Sequence, residues 1–498
     1  MLTADGLDLN DPLPGSGDVT VLEASAGTGK THTIAGYATR YVAQGIPLRR
    51  LLVVTFTRSA TAELRERVRT RLVAAVDHLD GRLAGASASH TDDVLEHLCA
   101  GGPEEVTTRL RNLRAALAEF DAATIATIHG FCRHVLAGVG VAADVDRSAA
   151  LLEDTSGLVE AVVDDLFLRR FYEPAAGGPR VSRDDLLTIA RRVVANPDAQ
   201  IVPVRPQEPE ATLRVELARC VRAEVDRRKR ALGVLSYDDL LTRLQAALED
   251  PDHEAAAQRR LRDAYGVALI DEFQDTDRIQ WGILRRVFAH EAARLVLIGD
   301  PKQAIYAFRG ADVYAYLDAA ESAGDRRTLE RNWRSDAGLL RAFNALFAGA
   351  SLGHPGITYR DAYAAPPGED SPRLVGAPVE APLRLRVVRR DSGIRLVYKG
   401  ARVQADAGRA RVADDVASQI VTLLESRARI TRCETDPRDL RQHPVRPRDL
   451  AVLVRKNAEA ALVQGRLREA GVPAVINGVG SVLATPAATD WLRLLEAL

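Results

Sequence analysis

The sequence predicts an α/β fold, an open parallel sheet with helices on its faces, and three observations carry that expectation. The phosphate-loop pattern Glu23-Ala24-Ser25-Ala26-Gly27-Thr28-Gly29-Lys30-Thr31 follows the apolar run Val19-Thr20-Val21-Leu22. Four more short apolar runs recur along the chain, each ending in polar, chemically loaded residues. The tracts between them are rich in Leu, Ala and Arg and read as helix. In an open parallel sheet the carboxyl ends of the strands line the ligand crevice, so these polar endings are expected to converge on one site.

The first run reads as a buried strand, and Thr31 to Gln44, closed by Gly45, reads as a helix with glycine just past its end. The loop between them suits a polyphosphate. Small residues let backbone N–H groups curl around it, Lys30 can reach its terminal phosphates, and Thr31 can ligate Mg²⁺ at the helix N-terminus. The usual pattern opens with Gly where this chain has Ala24, and a small residue still permits the turn. A Gly-rich turn without a ligand is the bland alternative; the strand before and the helix after favour nucleotide.

The second run, Leu51-Leu52-Val53-Val54-Thr55-Phe56-Thr57, reads as a buried strand ending in hydroxyls, before a charged amphipathic helix from Ala60 to Arg71. Thr124-Ile125-Ala126-Thr127-Ile128, Val267-Ala268-Leu269-Ile270 and Leu295-Val296-Leu297-Ile298 complete the set. Ala74 to Phe120 and His134 to Ala231 read as helical insertions. His354 to Pro382, dense in Pro and Gly, reads as a linker, and the alternation of Leu383-Arg384-Leu385-Arg386-Val387 suits a half-buried strand. Asp449 to Val454 as strand and Asn457 to Ala470 as helix, closed by Gly471, begin a second αβ unit. Thr489 to Leu498, with Trp491, Leu492, Leu494 and Leu495, reads as an amphipathic helix that stops without a cap, as if the chain were cut inside a domain.

Composition narrows the class. At 498 residues, 46% hydrophobic and 27% charged, the chain has material for about three domains. A net charge of −1 excludes a wholesale basic protein and confines any nucleic-acid contact to a local groove. Of 67 basic residues only five are Lys, at 30, 229, 302, 399 and 456, which leaves 62 Arg. Lys30 therefore marks a site that wants a compact ammonium rather than a planar fork, and Lys302 is a candidate for another. Four scattered cysteines, without a Cys-x-x-Cys pair, suggest neither a metal ribbon nor a disulfide framework. The acidic Met1 to Asn10 lacks a signal pattern and no apolar run approaches membrane-spanning length, so a cytoplasmic protein with no membrane partner is expected.

Three further segments carry chemistry. In Asp271-Glu272-Phe273-Gln274-Asp275-Thr276, Asp271 at a strand end can hold the Mg²⁺ of a nucleotide, and Glu272 can orient or deprotonate an attacking water; the alternative is a solvated acidic turn. In Gly299 to Gly310, Gln303 can sense a γ-phosphate, Tyr306 and Phe308 offer flat faces for bases, and Arg309 adds a cation. Taken alone the two aromatics would be core packing. In Asn332-Trp333-Arg334-Ser335, Arg334 can reach a transferring phosphoryl group and Trp333 can stack on adenine, though this tetrapeptide by itself is weak evidence.

In this order the motifs resemble the superfamily 1 DNA helicases of the UvrD and Rep type, most closely their RecB branch. The carrying residues are Glu23 to Thr31, Thr55-Phe56-Thr57 with Ala60, Glu63 and Leu64, Thr127-Ile128-His129-Gly130-Phe131, Ser236 to Leu240, Asp271 to Thr276 with Gln280, Asp300 to Asp312, and Asn332 to Ser335. They cover most of the chain. The resemblance implies a P-loop NTPase with a RecA-like parallel sheet: a first lobe over 1–135 and 236–330, a helical insertion over 136–235, and the start of a second RecA-like lobe over 331–498. It implies that Glu23 to Thr31 bind ATP, with Lys30 on the β and γ phosphates. Thr31 and Asp271 would hold Mg²⁺, Glu272 would activate water, Gln303 and Arg334 would contact the γ-phosphate, and Trp333 would stack on adenine. Thr55, Phe56, Thr57, His129, Tyr306 and Phe308 would line the path of single-stranded DNA, with Arg309 linking it to the nucleotide. His129 alone would more often be a satisfied core histidine.

Two departures qualify the resemblance. The glutamine with which UvrD-type enzymes read adenine is absent from Leu9 to Thr20, so ATP preference is implied only by the family. The second arginine of the ATP site and the carboxylate-rich nuclease domain of RecB proteins are not found after Leu483, which reads as an N-terminal portion of a longer protein. What the resemblance implies is a 3′-to-5′ motor of double-strand break repair and recombination, acting on single-stranded DNA and duplex ends with RecC-like and RecD-like subunits. The alternatives are an AddA-type or UvrD-type motor, a DNA-binding regulatory module with a vestigial ATPase, and an RNA-directed motor.

Overall fold

The computed structural model describes residues 5–85, 93–139, 149–171, 181–197, 199–307, 310–365, 372–389, 393–397, 402–433, 440–477, 483 and 485–497. The chain divides into two compact units, Met1–Arg334 with Ala348–Asp361, and Ser335–Phe347 with Ala362–Leu498.

The first unit opens with β1 (Asp5–Gly6), β2 (Val19–Ala24), α1 (Lys30–Ala43), β3 (Leu51–Thr55), α2 (Arg58–Leu83), α3 (Asp93–Cys99), α4 (Pro103–Ala118), β4 (Thr124–Thr127) and α5 (Ile128–Val139). It continues through β5 (Ala150–Leu151), α6 (Ser156–Phe171), α7 (Arg183–Val194), α8 (Pro209–Leu232), β6 (Val234–Leu235), α9 (Tyr237–Glu249) and α10 (Glu254–Ala264). It closes with β7 (Val267–Ile270), α11 (Arg278–Phe288), β8 (Arg294–Gly299), α12 (Val313–Ser322) and β9 (Asp325–Leu329). Seven strands form one sheet in the order β1-β9-β2-β8-β7-β3-β4, with every pairing parallel. This is the α/β parallel sheet expected from the apolar runs.

The runs are apolar throughout because helices cover both faces. Val21, Leu52, Val54, Ala268, Ile270, Leu295 and Leu297 pack with α5, α9, α11 and α12 on one face. Their strand neighbours Leu22, Leu51, Val53, Val267, Leu269, Val296 and Ile298 pack with α1, α2 and α4 on the other, as the two-residue repeat of a strand requires. Helix α5 buries Ile128, Phe131, Cys132, Val135 and Leu136, a single stripe at helical spacing. The sequence reading ends the second strand two residues late: Thr57 lies outside β3 and caps α2, its hydroxyl accepting from Ala60 N–H at 3.0 Å.

Helices α6, α7 and α8 have a core of their own, with Val162, Val163, Leu186, Val221 and Val225 at its centre. Their two ends are drawn together by the parallel pairing of β5 with β6. Lys229, one of the five lysines, is buried at the end of α8 and ion-pairs with Asp239 at 2.6 Å, while Asp239 closes a capping box with Ser236 at the start of α9. Lys229 and Asp239 thus fasten the end of α8 to the start of α9.

The second unit holds α13 (Ala337–Phe347), α14 (Ala405–Glu425), α15 (Asn457–Glu469), α16 (Pro486–Glu496) and a three-stranded antiparallel sheet of Leu374–Val375, Arg429–Cys433 and Leu440–Pro444. Ala413, Ala417, Val463 and Leu467 form its core. Two expected strands are absent. Leu383 to Val387 is irregular and largely exposed, and Arg384 and Arg386 serve α14 instead, Arg384 donating to Gln419 at 3.1 Å and Arg386 pairing with Asp415. Leu450 to Val454 has no ladder partner among the described residues, and Leu453 is fully exposed. Alternation alone does not make a strand where no neighbour takes up the backbone groups. The helix from Asn457 is present, and Gly471 follows it at φ 75°.

Candidate active site

The carboxyl ends of β2, β7 and β8 meet as the apolar runs require, and the side chains there are joined across long sequence distances. Gly27 and Gly29 take φ of 82° and 93°, conformations that glycine adopts without strain. The loop between β2 and α1 is held by Thr28, whose hydroxyl donates to the Ser25 carbonyl at 2.8 Å. Gly29 is the N-cap of α1, so Lys30 and Thr31 fall in its first turn, where a helix N-terminus favours an anion.

Asn332, Trp333 and Arg334 dock onto this loop. The buried Asn332 donates from Nδ2 to the Ala26 carbonyl at 2.8 Å, Trp333 N–H donates to the Gly27 carbonyl at 2.8 Å, and Arg334 N–H donates to Asn332 Oδ1 at 2.9 Å. A Cβ on Gly27 would stand 2.6 Å from the Arg334 Cβ and 2.9 Å from Asn332 Oδ1. Trp333 is 64% exposed beside Gly29, a flat apolar face held open next to the loop. Asn332 had no role in the sequence reading, which placed only Trp333 and Arg334 at the nucleotide. A polar residue that bonds a loop carbonyl has no periodicity to betray it.

Across the crevice, Lys30 Nζ meets Glu272 Oε2 at 2.7 Å. Glu272 is the one non-glycine residue with positive φ among the described residues, at 51°. Such a backbone costs of order 1–3 kcal/mol and is retained where the surroundings hold it. Asp271 N–H donates to the Val54 carbonyl at 2.7 Å, and Asp271 Oδ1 accepts from Glu272 N–H at 2.9 Å. Burial first, and the Glu272 charge second, push the Asp271 carboxyl up to about 6. A cation beside Asp271 would relieve both effects.

The segment after β8 is organised by Asp300, 2% exposed. Its carboxylate accepts from Gln303 Nε2 at 2.8 Å and pairs with Lys302 at 2.8 Å, and Lys302 also reaches Glu23 at 2.8 Å. Burial opposes the Lys302 charge, but Asp300 and Glu23 together raise its pKa above the ordinary lysine value. Glu23 and Ala24 are strand residues of β2, and the Glu23 carboxylate is taken by Lys302 and, at 3.7 Å, Arg360.

A cavity of about 610 Å³ opens on the same edge of the sheet, lined by Phe56, Thr127, His129, Tyr237, Asp275 and Gln280 among others. Tyr306 stacks on Phe56 with ring centroids 5.4 Å apart, and His129 stands edge-on to Tyr237 at 5.1 Å. Burial lowers the His129 pKa, which favours the neutral ring at pH 7. Phe56, His129 and Tyr306 are thus brought together, Thr57 caps α2 next to them, and Thr55 is 1% exposed within β3. Phe308 and Arg309 lie outside the described residues. Sequence reasoning missed Tyr237 as a wall of this cavity, although it lies in the Ser236 to Leu240 motif.

The profile of the UvrD/REP helicase N-terminal domain matches residues 11–324. The chain is 45% identical to the RecBCD enzyme subunit RecB of Mycolicibacterium smegmatis over 98% of this chain and 43% of that protein. It is 43% identical to the RecBCD enzyme subunit RecB of Mycobacterium tuberculosis over 99% of this chain and 43% of that one. The corresponding Escherichia coli subunit is 28% identical over 99% of this chain and 51% of its own length. The chain therefore spans about half the length, or less, of these curated relatives. With its phosphate loop, its paired Lys30 and Glu272, and a profile match across most of the first unit, the chain belongs to the UvrD/REP helicase family.

Proposed function

We propose that this chain is the N-terminal motor portion of a RecB-type helicase, hydrolysing ATP with Mg²⁺ to move 3′ to 5′ along single-stranded DNA. Within the whole protein it acts on duplex ends in double-strand break repair and recombination, in the cytoplasm, with RecC-like and RecD-like subunits. Residues 1–135 and 236–330 are its first RecA-like lobe, 136–235 a helical insertion, and 331–498 the start of the second lobe. Among the described residues no helix is long and apolar enough to cross a membrane.

The observation that carries the reading is the 2.7 Å pair of Lys30 with Glu272 at the mouth of the phosphate loop. Incoming phosphates compete for Lys30, and as it turns to them Glu272 is released to accept a proton from water. Arg334 beside the loop and Gln303 on Asp300 are the groups for the γ-phosphate, and an arginine in that role is worth on the order of 10³–10⁵ in rate. Thr31 and Asp271 would hold Mg²⁺, which supplies charge neutralisation between the β and γ phosphates. Trp333 offers its exposed face to adenine. Phe56, Tyr306 and His129, with Thr57 alongside and Thr55, Phe308 and Arg309 by family resemblance, form the DNA path. Stacking there gives roughly 1–3 kcal/mol per base without sequence preference, which suits a motor that must open any duplex.

The test is ATP hydrolysis by this chain with and without a single-stranded oligonucleotide, beside Lys30→Ala and Glu272→Gln. Turnover stimulated by DNA and lost in both variants is the expected result; stimulation by RNA alone, or turnover indifferent to both substitutions, would overturn the reading. By itself this chain is expected to hydrolyse ATP slowly and not to unwind duplex, and robust unwinding by residues 1–498 alone would refute that expectation.

A further inference from the structure

The motor reading gives the buried Gln274 side chain no task, although it is bonded to groups of both sites. Gln274 is 2% exposed and lies between the two sites. Its Nε2 donates to Glu272 Oε2 at 2.8 Å and, more weakly, to Asp275 Oδ2 at 3.4 Å. Its Oε1 accepts from Asp300 N–H at 2.9 Å, in the residue whose carboxylate holds the Gln303 amide at 2.8 Å. One carboxamide therefore touches the hydrolytic carboxylate, the segment of the γ-phosphate sensor, and a carboxylate in the wall of the DNA cavity.

Each end of this chain of bonds is poised to change. Glu272 has two partners, Lys30 and Gln274, and loses Lys30 when phosphates arrive; Gln274 is then what holds the carboxylate on its strained backbone. At the other end Asp275 lines the cavity, 6% exposed, and its Oδ1 has no hydrogen-bond partner among the described residues. A buried carboxylate oxygen without a donor is costly, and a strand entering the cavity brings base N–H donors that can satisfy it. The amide itself cannot follow freely, because Asp300 pins its oxygen and a Cβ on Gly299 would stand 2.7 Å from that oxygen.

We propose that Gln274 is a positioning residue that transmits occupancy of the DNA cavity, through Asp275, to Glu272 and to Gln303. This rests on the proposed function. It makes nucleotide and DNA binding energetically coupled, each tightening the other by the same factor, as linkage requires.

The test is that factor. The affinity of the intact chain for a fluorescent, non-hydrolysable Mg-ATP analogue is measured with and without a saturating single-stranded oligonucleotide, and the quotient compared in wild type, Gln274→Met and Asp275→Ala. The wild-type quotient is expected to lie in the roughly 5–150-fold range usual for coupled sites, and to fall toward one in both variants. A merely structural role would weaken both ligands and leave the quotient unchanged, which would overturn the proposal. Should Gln274→Met not fold, Asp275→Ala decides alone, and an unchanged quotient there overturns it as well. A wild type that binds both ligands with a quotient of one refutes the relay while the motor reading stands; a wild type that binds neither refutes both.

Discussion

Lys30 and Glu272 are 242 residues apart in sequence, and their side chains meet at 2.7 Å with Lys30 largely buried. The pair neutralises the crevice before a ligand enters, so each partner is expected to report on the other. Glu272→Gln leaves Lys30 without its charged acceptor, and a charged hydrogen bond is worth about 1.5–3 kcal/mol. Nucleotide should therefore bind roughly tenfold more tightly to Glu272→Gln while hydrolysis is lost. Lys30→Arg is expected to weaken binding by at least about tenfold despite its charge, because a planar fork does not fit where a compact ammonium sits. Equilibrium titration with a fluorescent nucleotide measures both, and unchanged affinity in either variant would count against the pair as the gate of the loop.

Gly27 and Gly85 have nearly the same backbone, φ 82° and 79°, in different company. No described residue lies within 4 Å of a Cβ on Gly85, so Gly85→Ala carries the conformational cost, about 1–2 kcal/mol. Gly27→Ala must also displace Arg334 and Asn332. Thermal unfolding should register both substitutions, but only Gly27→Ala should lose nucleotide binding. Equal binding by the two variants would mean that the docking of Asn332 to Arg334 is dispensable to the loop.

Much of this is legible in the amino-acid sequence. In a chain that uses arginine almost everywhere, three of its five lysines, Lys30, Lys229 and Lys302, sit in tight carboxylate pairs, two of them at sequence motifs. The parallel strands were legible because burial on both faces makes them continuously apolar. By contrast β9, Asp325-Arg326-Arg327-Thr328-Leu329, is hidden by its charges, which are accommodated by pairs such as Arg327 with Asp325 and Asp11. Gln274 and Asn332 were invisible as functional residues for a related reason: their worth lies in the distant backbone groups they meet, Asp300 N–H for Gln274 and the Ala26 carbonyl for Asn332.

Cysteine chemistry checks the fold independently of ligands. Burial, then the Asp277 charge, pushes the Cys132 thiol up, and burial raises Cys99 against the opposing Arg82 and Arg109. Cys220 is exposed. Since the thiolate is the nucleophile, brief maleimide treatment at pH 7 with peptide mapping should modify Cys220 and spare Cys132 until the protein is unfolded. Labelling of Cys132 in the native protein would be incompatible with its place on the buried face of α5.

Asp275 gives the pH dependence its sign. Burial first, and the Glu272 charge second, push its carboxyl up to about 6, against about 3.9 in an unfolded chain. The folded state therefore holds the proton more tightly, and its stability falls as pH rises from about 4 through about 6, where the folded protein must ionise a buried group at a cost. Two units correspond to about 3 kcal/mol at most, before relaxation of the site. Asp275→Asn avoids that ionisation. It should match wild type below about pH 4 and exceed it in stability by on the order of 2 kcal/mol at pH 7.5, with the difference opening between those values. Urea unfolding across that range is the measurement, and a variant less stable than wild type at pH 7.5 would mean that the carboxylate serves the fold. A more stable variant would show Asp275 to be held against the interest of the fold, as a residue kept for a ligand in the cavity is.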